Sequence, residues 1–242
     1  MKKFAFALVA FLFIGGTALK AQTVDEILAK YAEVNGSAEK WSTVTTLTLT
    51  GKFIQQGMEF PLTSQIVRPN KVYTIINVMG KEIIQGYDGK DAWTINPLMG
   101  KETAEMMSES EAKDIKDQAQ LEDPLLTYKT EGHKVELLGT EDIEGTPCFK
   151  IKLVEKNGDE STIFIDQESY LKVMERSKST NPQMAGMELD TFFSDYKDLG
   201  NGLLMWHAMD TKVAGQSVAA MSVSSWEFNK KINEKIFAMP KK

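Results

Sequence analysis

Two arginines, two histidines and one cysteine are all that 242 residues supply of three chemically versatile side chains. The lone Cys148 excludes an intramolecular disulfide and every multi-cysteine metal cluster. With only His133 and His207 there is no H-E-x-x-H and no metal-ligand spacing. The G-x-S-x-G, G-x-G-x-x-G and P-loop signatures are absent as well. Lys and Arg number 28 against 34 Asp and Glu, for a net charge of −6, so the positive footprint that nucleic acid requires is missing. Cys148, beside Pro147 at the start of an amphipathic strand, reads as a small buried hydrophobe rather than a nucleophile. Glu141-Asp142 falls in a turn-like stretch and reads as solvated. No catalytic residue, metal or cofactor is expected, and the chain reads as a non-enzyme.

Long apolar runs are also missing. The strongest, Phe4 to Ile14, is too short for a hydrocarbon core, which takes roughly 20 residues. Lys2 and Lys3 precede it, and Gly15, Gly16, Thr17 and Ala18 lead to Ala21, the pattern of a secretory signal peptide. Cleavage after Ala21 is expected, with Ala18 as a rival, leaving residues 22–242 as a single domain. No cysteine near that point permits lipid attachment, so the mature protein is expected to be exported, soluble and unanchored.

What is present is mostly strand. The mature chain opens on a helix, Thr23 to Asn35, with a Thr23/Glu26 capping box, an apolar stripe (Val24, Ile27, Leu28, Tyr31, Val34) and Gly36 as a left-handed cap. From Thr43 the period becomes two: Leu47, Leu49 and Phe53 alternate with polar residues, and Phe149, Ile151 and Leu153 with lysines. Asn157-Gly158 marks a tight hairpin with both central residues at positive φ. Further strands are expected at about 170–178, 187–197, 203–212 and 217–228, with short turns that make an antiparallel meander. Val72 to Met79 and Leu203 to Met209 are apolar on both faces, so helices, a second sheet or a ligand must cover the second face.

Residues 101–130 break the strand pattern. Ser108/Glu111 forms a second capping box, Glu109 pairs with Lys113, and Asp123-Pro124 begins a further short helix. Its apolar face is thin (Ala112, Ile115, Ala119), so the segment reads as a helical lid that opens at low cost. Methionine is abundant: 12 of 13 lie beyond Ala21, concentrated between Met174 and Met221 with a Met106-Met107 pair in the lid. Such soft side chains suit an adaptable apolar cavity, beside the plainer reading of core filling. Arg68 and Arg176 stand out among the lysines as sites where a planar fork has a use, or as solvated strand ends.

Val67-Arg68-Pro69-Asn70, Asp88-Gly89-Lys90 with Trp93, and Asn96-Pro97 together resemble the RPN, DGK-x-x-W and NP run of the LolA family, periplasmic carriers of outer-membrane lipoproteins. The closing Phe237-Ala238-Met239-Pro240 is similar to the F-x-x-P tail of that superfamily. The resemblance implies an incomplete antiparallel β-barrel, a curved meander sheet covered by an N-terminal helix and a helical lid at about 101–130. It also implies a periplasmic carrier that takes acyl chains of lipoproteins or lipids from an inner-membrane transporter to an outer-membrane acceptor. In that family the RPN arginine bonds to the lid, a role that carries over to Arg68, with Glu102, Glu105, Glu109, Glu111, Asp114 and Asp117 as available acceptors. The expected ligand-binding or gating residues are Arg68, Met79, Trp93, Met106, Met107, Ile115, Leu125, Leu126, Met205 and Met221. A monomer is expected. The competing readings are a lipid- or protein-sensing module of the same fold with no transport role, and a hydrolase using His207 or Cys148.

Overall fold

The computed structural model describes residues 22–179, 184–200 and 202–241, so the expected signal peptide lies outside the described residues. Two helices, α1 (Val24–Asn35) and α2 (Ala38–Ser42), lead into six strands: β1 (Thr46–Gln55), β2 (Met58–Val67), β3 (Lys71–Val78), β4 (Lys81–Tyr87), β5 (Ala92–Asn96) and β6 (Lys101–Met106). Two more helices follow, α3 (Glu109–Gln118) and α4 (Pro124–Glu131). The chain then returns through β7 (Lys134–Ile143), β8 (Thr146–Val154), β9 (Glu160–Asp166), β10 (Lys172–Lys178) and β11 (Glu188–Ser194). After a small ribbon of β12 (Lys197–Asp198) and β13 (Leu204–Met205) come β14 (Ala208–Val213) and β15 (Gln216–Phe228).

Thirteen strands form one curved antiparallel sheet in the order β6-β5-β4-β3-β2-β1-β15-β14-β11-β10-β9-β8-β7. It does not close into a barrel. The first and last strands, β1 and β15, pair at its centre, with Leu47 opposite Phe228 and Phe53 opposite Met221. The two free edges, β6 and β7, are joined in the chain by α3 and α4.

Strand alternation assigns the faces. On the inner face, Phe149, Ile151, Leu153, Ile163 and Ile165 pack against Ile27, Leu28 and Tyr31 of α1 and Leu125 of α4. Val72, Tyr87 and Ala92 on the same face receive Ala112 and Ile115 of α3 and Ala119 just after it. The outer face is covered in two places. Near β5, Trp93 lies across Gly86, where any Cβ would overlap the indole, and its Nε1 donates to the Phe237 carbonyl at 2.8 Å. The C-terminal segment is thus drawn over the outside of the sheet, with Phe237 buried. Near β8, Cys148, Phe164 and Met174 pack with Ile143. Much of the apolar second face is therefore covered, by the C-terminal segment near β5 and by the Cys148 cluster near β8.

Both capping boxes form, and Asp123 caps α4 with Pro124 in its first turn. Other local expectations are corrected. Residues 101–106 are an edge strand, not lid, because β6 pairs with β5 through Trp93–Met106 and Asn96–Lys101. Gly36 has φ 90° and ψ 132°, a positive-φ conformation outside the left-handed helical region, because the chain turns at once into α2. At the β8–β9 turn only Gly158 has positive φ; Glu155 N–H donates to Asp159 and Gly158 N–H to Glu155, a longer loop than a two-residue turn. Lys113 bonds Asp117 and Asp159, each at 2.7 Å. The expected strand 203–212 is broken at Trp206-His207, where the ribbon ends and β14 begins.

Candidate functional site

The α3–α4 connector is one of the places that hold the helical cover on the inner face, beside Lys113 on Asp159 and Tyr128 on Asp25. Arg68, at the end of β2, donates through Nε to the Val44 carbonyl (2.5 Å) and through Nη2 to the Trp41 carbonyl (2.9 Å). Its remaining Nη1 meets Glu122 Oε1 at 2.5 Å. The fork thus ties the start of β1 to the connector, and the acceptor is a carboxylate that sequence reasoning did not single out.

Asp123, the next residue, forms a second tie. Its carboxylate accepts from the α4 N–H of Leu125, from the Tyr31 hydroxyl of α1 and from Lys172 of β10. Lys172 also reaches Glu175, and its Nζ lies 4.7 Å from the centre of the Phe193 ring. Burial opposes the charge on Asp123, but the Lys172 ammonium and the hydrogen bonds outweigh it and hold the carboxyl below the usual range. Burial likewise opposes the charge on Lys172, and the Asp123 and Glu175 carboxylates raise its pKa above the ordinary lysine value. The Tyr31 hydroxyl is pushed well up, first by burial and then by Asp123. All three groups therefore keep their charge states through the physiological range. The signal for Asp123 was its cap position alone; nothing local marks Lys172 or Tyr31 as its partners.

A cleft adjoins this cover, and a separate apolar cluster lies beyond it. The cleft, of about 1660 Å³, runs from Arg68 and Glu122 past Lys113 and Asp117 to the β8–β9 turn and the end of β10. Its walls are predominantly polar and charged, including Lys152, Glu155, Glu175 and Ser177, which differs from the apolar cavity expected from sequence. Burial, with Asp117 and Asp159 nearby, raises the Glu155 carboxyl. The apolar surface lies elsewhere on the inner face. Leu49, Leu62 and Val223 form its floor, and the partly buried Phe53, Ile76, Trp206, Met221 and Trp226 extend it. Trp206 stands edge-on to Trp226 (5.2 Å between centroids) and tilted against Phe193 (5.7 Å). No helical residue belongs to this cluster.

The residues expected to form the site separate accordingly. Met107 and Ile115 pack at the α3 contact, Leu125 under α1, Leu126 between two core clusters, and Met205 with Trp41 and Leu203. Met221 alone of the methionines expected there joins this partly buried apolar cluster. Three are elsewhere. Trp93 and its neighbour Met106 point to the outer face, because they alternate with the inward Ala92, and Met79 sits 79% exposed in the β3–β4 turn. Phe53, Trp206 and Trp226 were missed, since nothing local distinguishes an uncovered core position from a covered one. Cys148 is buried and its thiol is pushed up to about 11, by burial first and then by Asp166 and Asp142, which disfavours the nucleophilic thiolate. His207 is buried with Nδ1 at 3.1 Å from the Met205 carbonyl.

An unclosed antiparallel sheet with helices across its inner face makes this chain similar in fold to solved structures that include a LolA superfamily protein. That protein is from Nitrosomonas europaea, with a TM-score of 0.58 and 13% identity over 90% of this chain and 98% of that one. A putative outer membrane lipoprotein-sorting protein domain from Vibrio parahaemolyticus matches with a TM-score of 0.56 and 13% identity, covering 89% and 95% of the two chains. A DUF1329 family protein from Desulfovibrio piger gives a TM-score of 0.56 and 13% identity over 90% and 98%. No family model and no curated protein sequence matches the chain. Among the described residues no helix is long and apolar enough to cross a membrane.

Proposed function

We propose that this protein is an exported, non-enzymatic, monomeric carrier that binds the acyl chains of lipoproteins or lipids and moves them toward the outer membrane. The observation that carries the reading is the apolar inner surface of Phe53, Ile76, Met221, Trp206 and Trp226, left half-buried beside a helical cover. An acyl chain needs apolar walls of adaptable shape and no specific polar partner, and soft methionine with edge-on aromatics supplies that. Movement of α3 would extend this surface over Val72, Tyr87 and Ala92, which that helix now covers. Such movement must break Arg68 on Glu122 and Lys113 on Asp159, and Arg68 is the gating residue in this reading. Release to an acceptor then follows re-closure, and a transporter and an acceptor are the partners such a carrier requires.

The test is native mass spectrometry of protein purified from the producing cells without detergent, together with uptake of a fluorescent fatty acid. Co-purifying lipid or lipopeptide, and saturable uptake weakened by Met221→Asp, are expected. Protein that is empty and takes up no fatty acid overturns the proposal. Transfer of a labelled lipoprotein between membrane fractions distinguishes a carrier from a sensor, which binds without net transfer.

A further inference from the structure

Five of the eight large apolar side chains that stand exposed among the described residues are Met58, Met79, Leu98, Met99 and Met187. Antiparallel order brings all five to the same end of the strands, since the β1–β2, β3–β4, β5–β6, β10–β11 and β14–β15 connections leave that end. Turns at the opposite end are polar: Asp88-Gly89-Lys90-Asp91, Glu144-Gly145 and Asp166-Gln167-Glu168-Ser169. The asymmetry follows no rule of turn chemistry. Met79 has φ 53° and is followed by Gly80 at φ 82°, so it occupies the first position of a turn whose backbone favours Asn, Asp or Gly. The same position before a glycine carries Gln56, Glu144 and Ala214 in other hairpins, so the backbone does not itself select methionine at the β3–β4 tip.

We infer that this end of the sheet docks on the surface of a lipid bilayer, with Met58, Met79, Leu98 and Met99 entering its interface. Residues 55–58, 78–81, 97–100 and 213–216 contain no Asp or Glu, although the chain as a whole is acidic. Lys81 follows the β3–β4 tip, exposed and without an ion pair among the described residues, placed for an anionic headgroup. The tips are separate projections: a Cβ placed on Gly57, Gly80, Gly100 or Gly215 would meet nothing within 4 Å. A rigid protein partner needs a complementary continuous surface, whereas a fluid interface accepts separate flexible apolar side chains. Phe53 and Ile76 lie two to three residues inside the same tips, so the apolar inner face opens toward the docked membrane. Further round the sheet, Glu155 to Asp159 is polar, which confines the apolar stretch to the β1–β6 side and its neighbours.

Flotation with vesicles of phosphatidylethanolamine and phosphatidylglycerol tests the inference. The parent should float with the vesicles. The double variant Met79→Asp, Met99→Asp should bind at least tenfold more weakly, because both positions are exposed turns that tolerate Asp without unfolding. Met106→Asp, at a similarly exposed site toward the other end of β6, should bind within twofold of the parent. A parent that stays unbound, a double variant that binds like the parent, or equal loss in Met106→Asp overturns the docking. Fatty-acid uptake in vesicle-free solution reads the carrier proposal separately: docking can fail while uptake persists, and the reverse.

Discussion

At the scale of single residues, Arg68 and Asp123 hold the molecule's helical cover by different chemistry. Arg68 uses three of its five donors, two on backbone carbonyls and one on Glu122. Arg68→Lys keeps a charge near Glu122 and loses the fork. A charge-assisted hydrogen bond contributes roughly 1.5–3 kcal/mol, so hydrogen exchange across 119–131 should accelerate by one to two orders of magnitude while exchange in β8 and β9 is unchanged. Asp123→Asn leaves Lys172 buried with only Glu175 for compensation, a loss of about 3–5 kcal/mol for a broken buried pair, read by urea denaturation. The sign of the pH effect follows from the depressed carboxyl of Asp123. Its stabilisation is complete above the unfolded value near 3.9, and it is lost as pH falls through the lower folded value. The variant should therefore show a shallower decline of stability on acidification below about pH 5. Arg68 was legible in the sequence as a scarce residue in a recognisable motif. Glu122 and Lys172 were not, because an ion pair between residues 54 or 49 positions apart leaves no local pattern.

At the scale of elements, α1 and α3 are alike in length and capping but unlike in grip. Among the residues of α1, Ile27, Leu28 and Tyr31 are buried apolar anchors; α3 has only Ala112 and Ile115. A fully buried large aliphatic contributes roughly 1.5–3 kcal/mol, so one such residue holds α3 against several for α1. Amides in 109–118 should exchange faster than those in 24–35, and Ile115→Ala should widen the difference. Equal protection of both helices would contradict the idea that α3 moves independently. The capping boxes were legible because four consecutive residues determine them. Strand β6 was not: Ala104 is its one buried residue, and an edge strand exposed on most positions carries no period-two pattern. The face of Trp93 was also hidden, since alternation separates two faces without saying which one the helices cover. Its partner Phe237, 144 positions away, was legible only as part of a tail motif.

At the scale of the whole molecule, the central pairing of β1 with β15 has a consequence for the time course of folding. Residues 47–54 meet residues 220–228, so the middle of the sheet joins the two most distant strands of the chain. Each half-sheet is built from hairpins and closes locally, but their junction must wait for a long loop, and slow folding follows from such non-local contacts. A circular permutant with Lys241 linked to Gln22 through a flexible spacer and new ends between Met107 and Ser108 makes that junction local. It should refold faster than the parent in stopped-flow fluorescence while keeping the same spectrum; an unchanged rate would place the slow step elsewhere. In the natural order of synthesis, the inner edges of both half-sheets stay unpaired until residue 228 has left the ribosome. An unpaired edge strand is a template for another chain. For the interval before the seam closes, each nascent molecule is therefore more exposed to its neighbours than the finished protein ever is, and expression at low rate or low temperature should reduce aggregation.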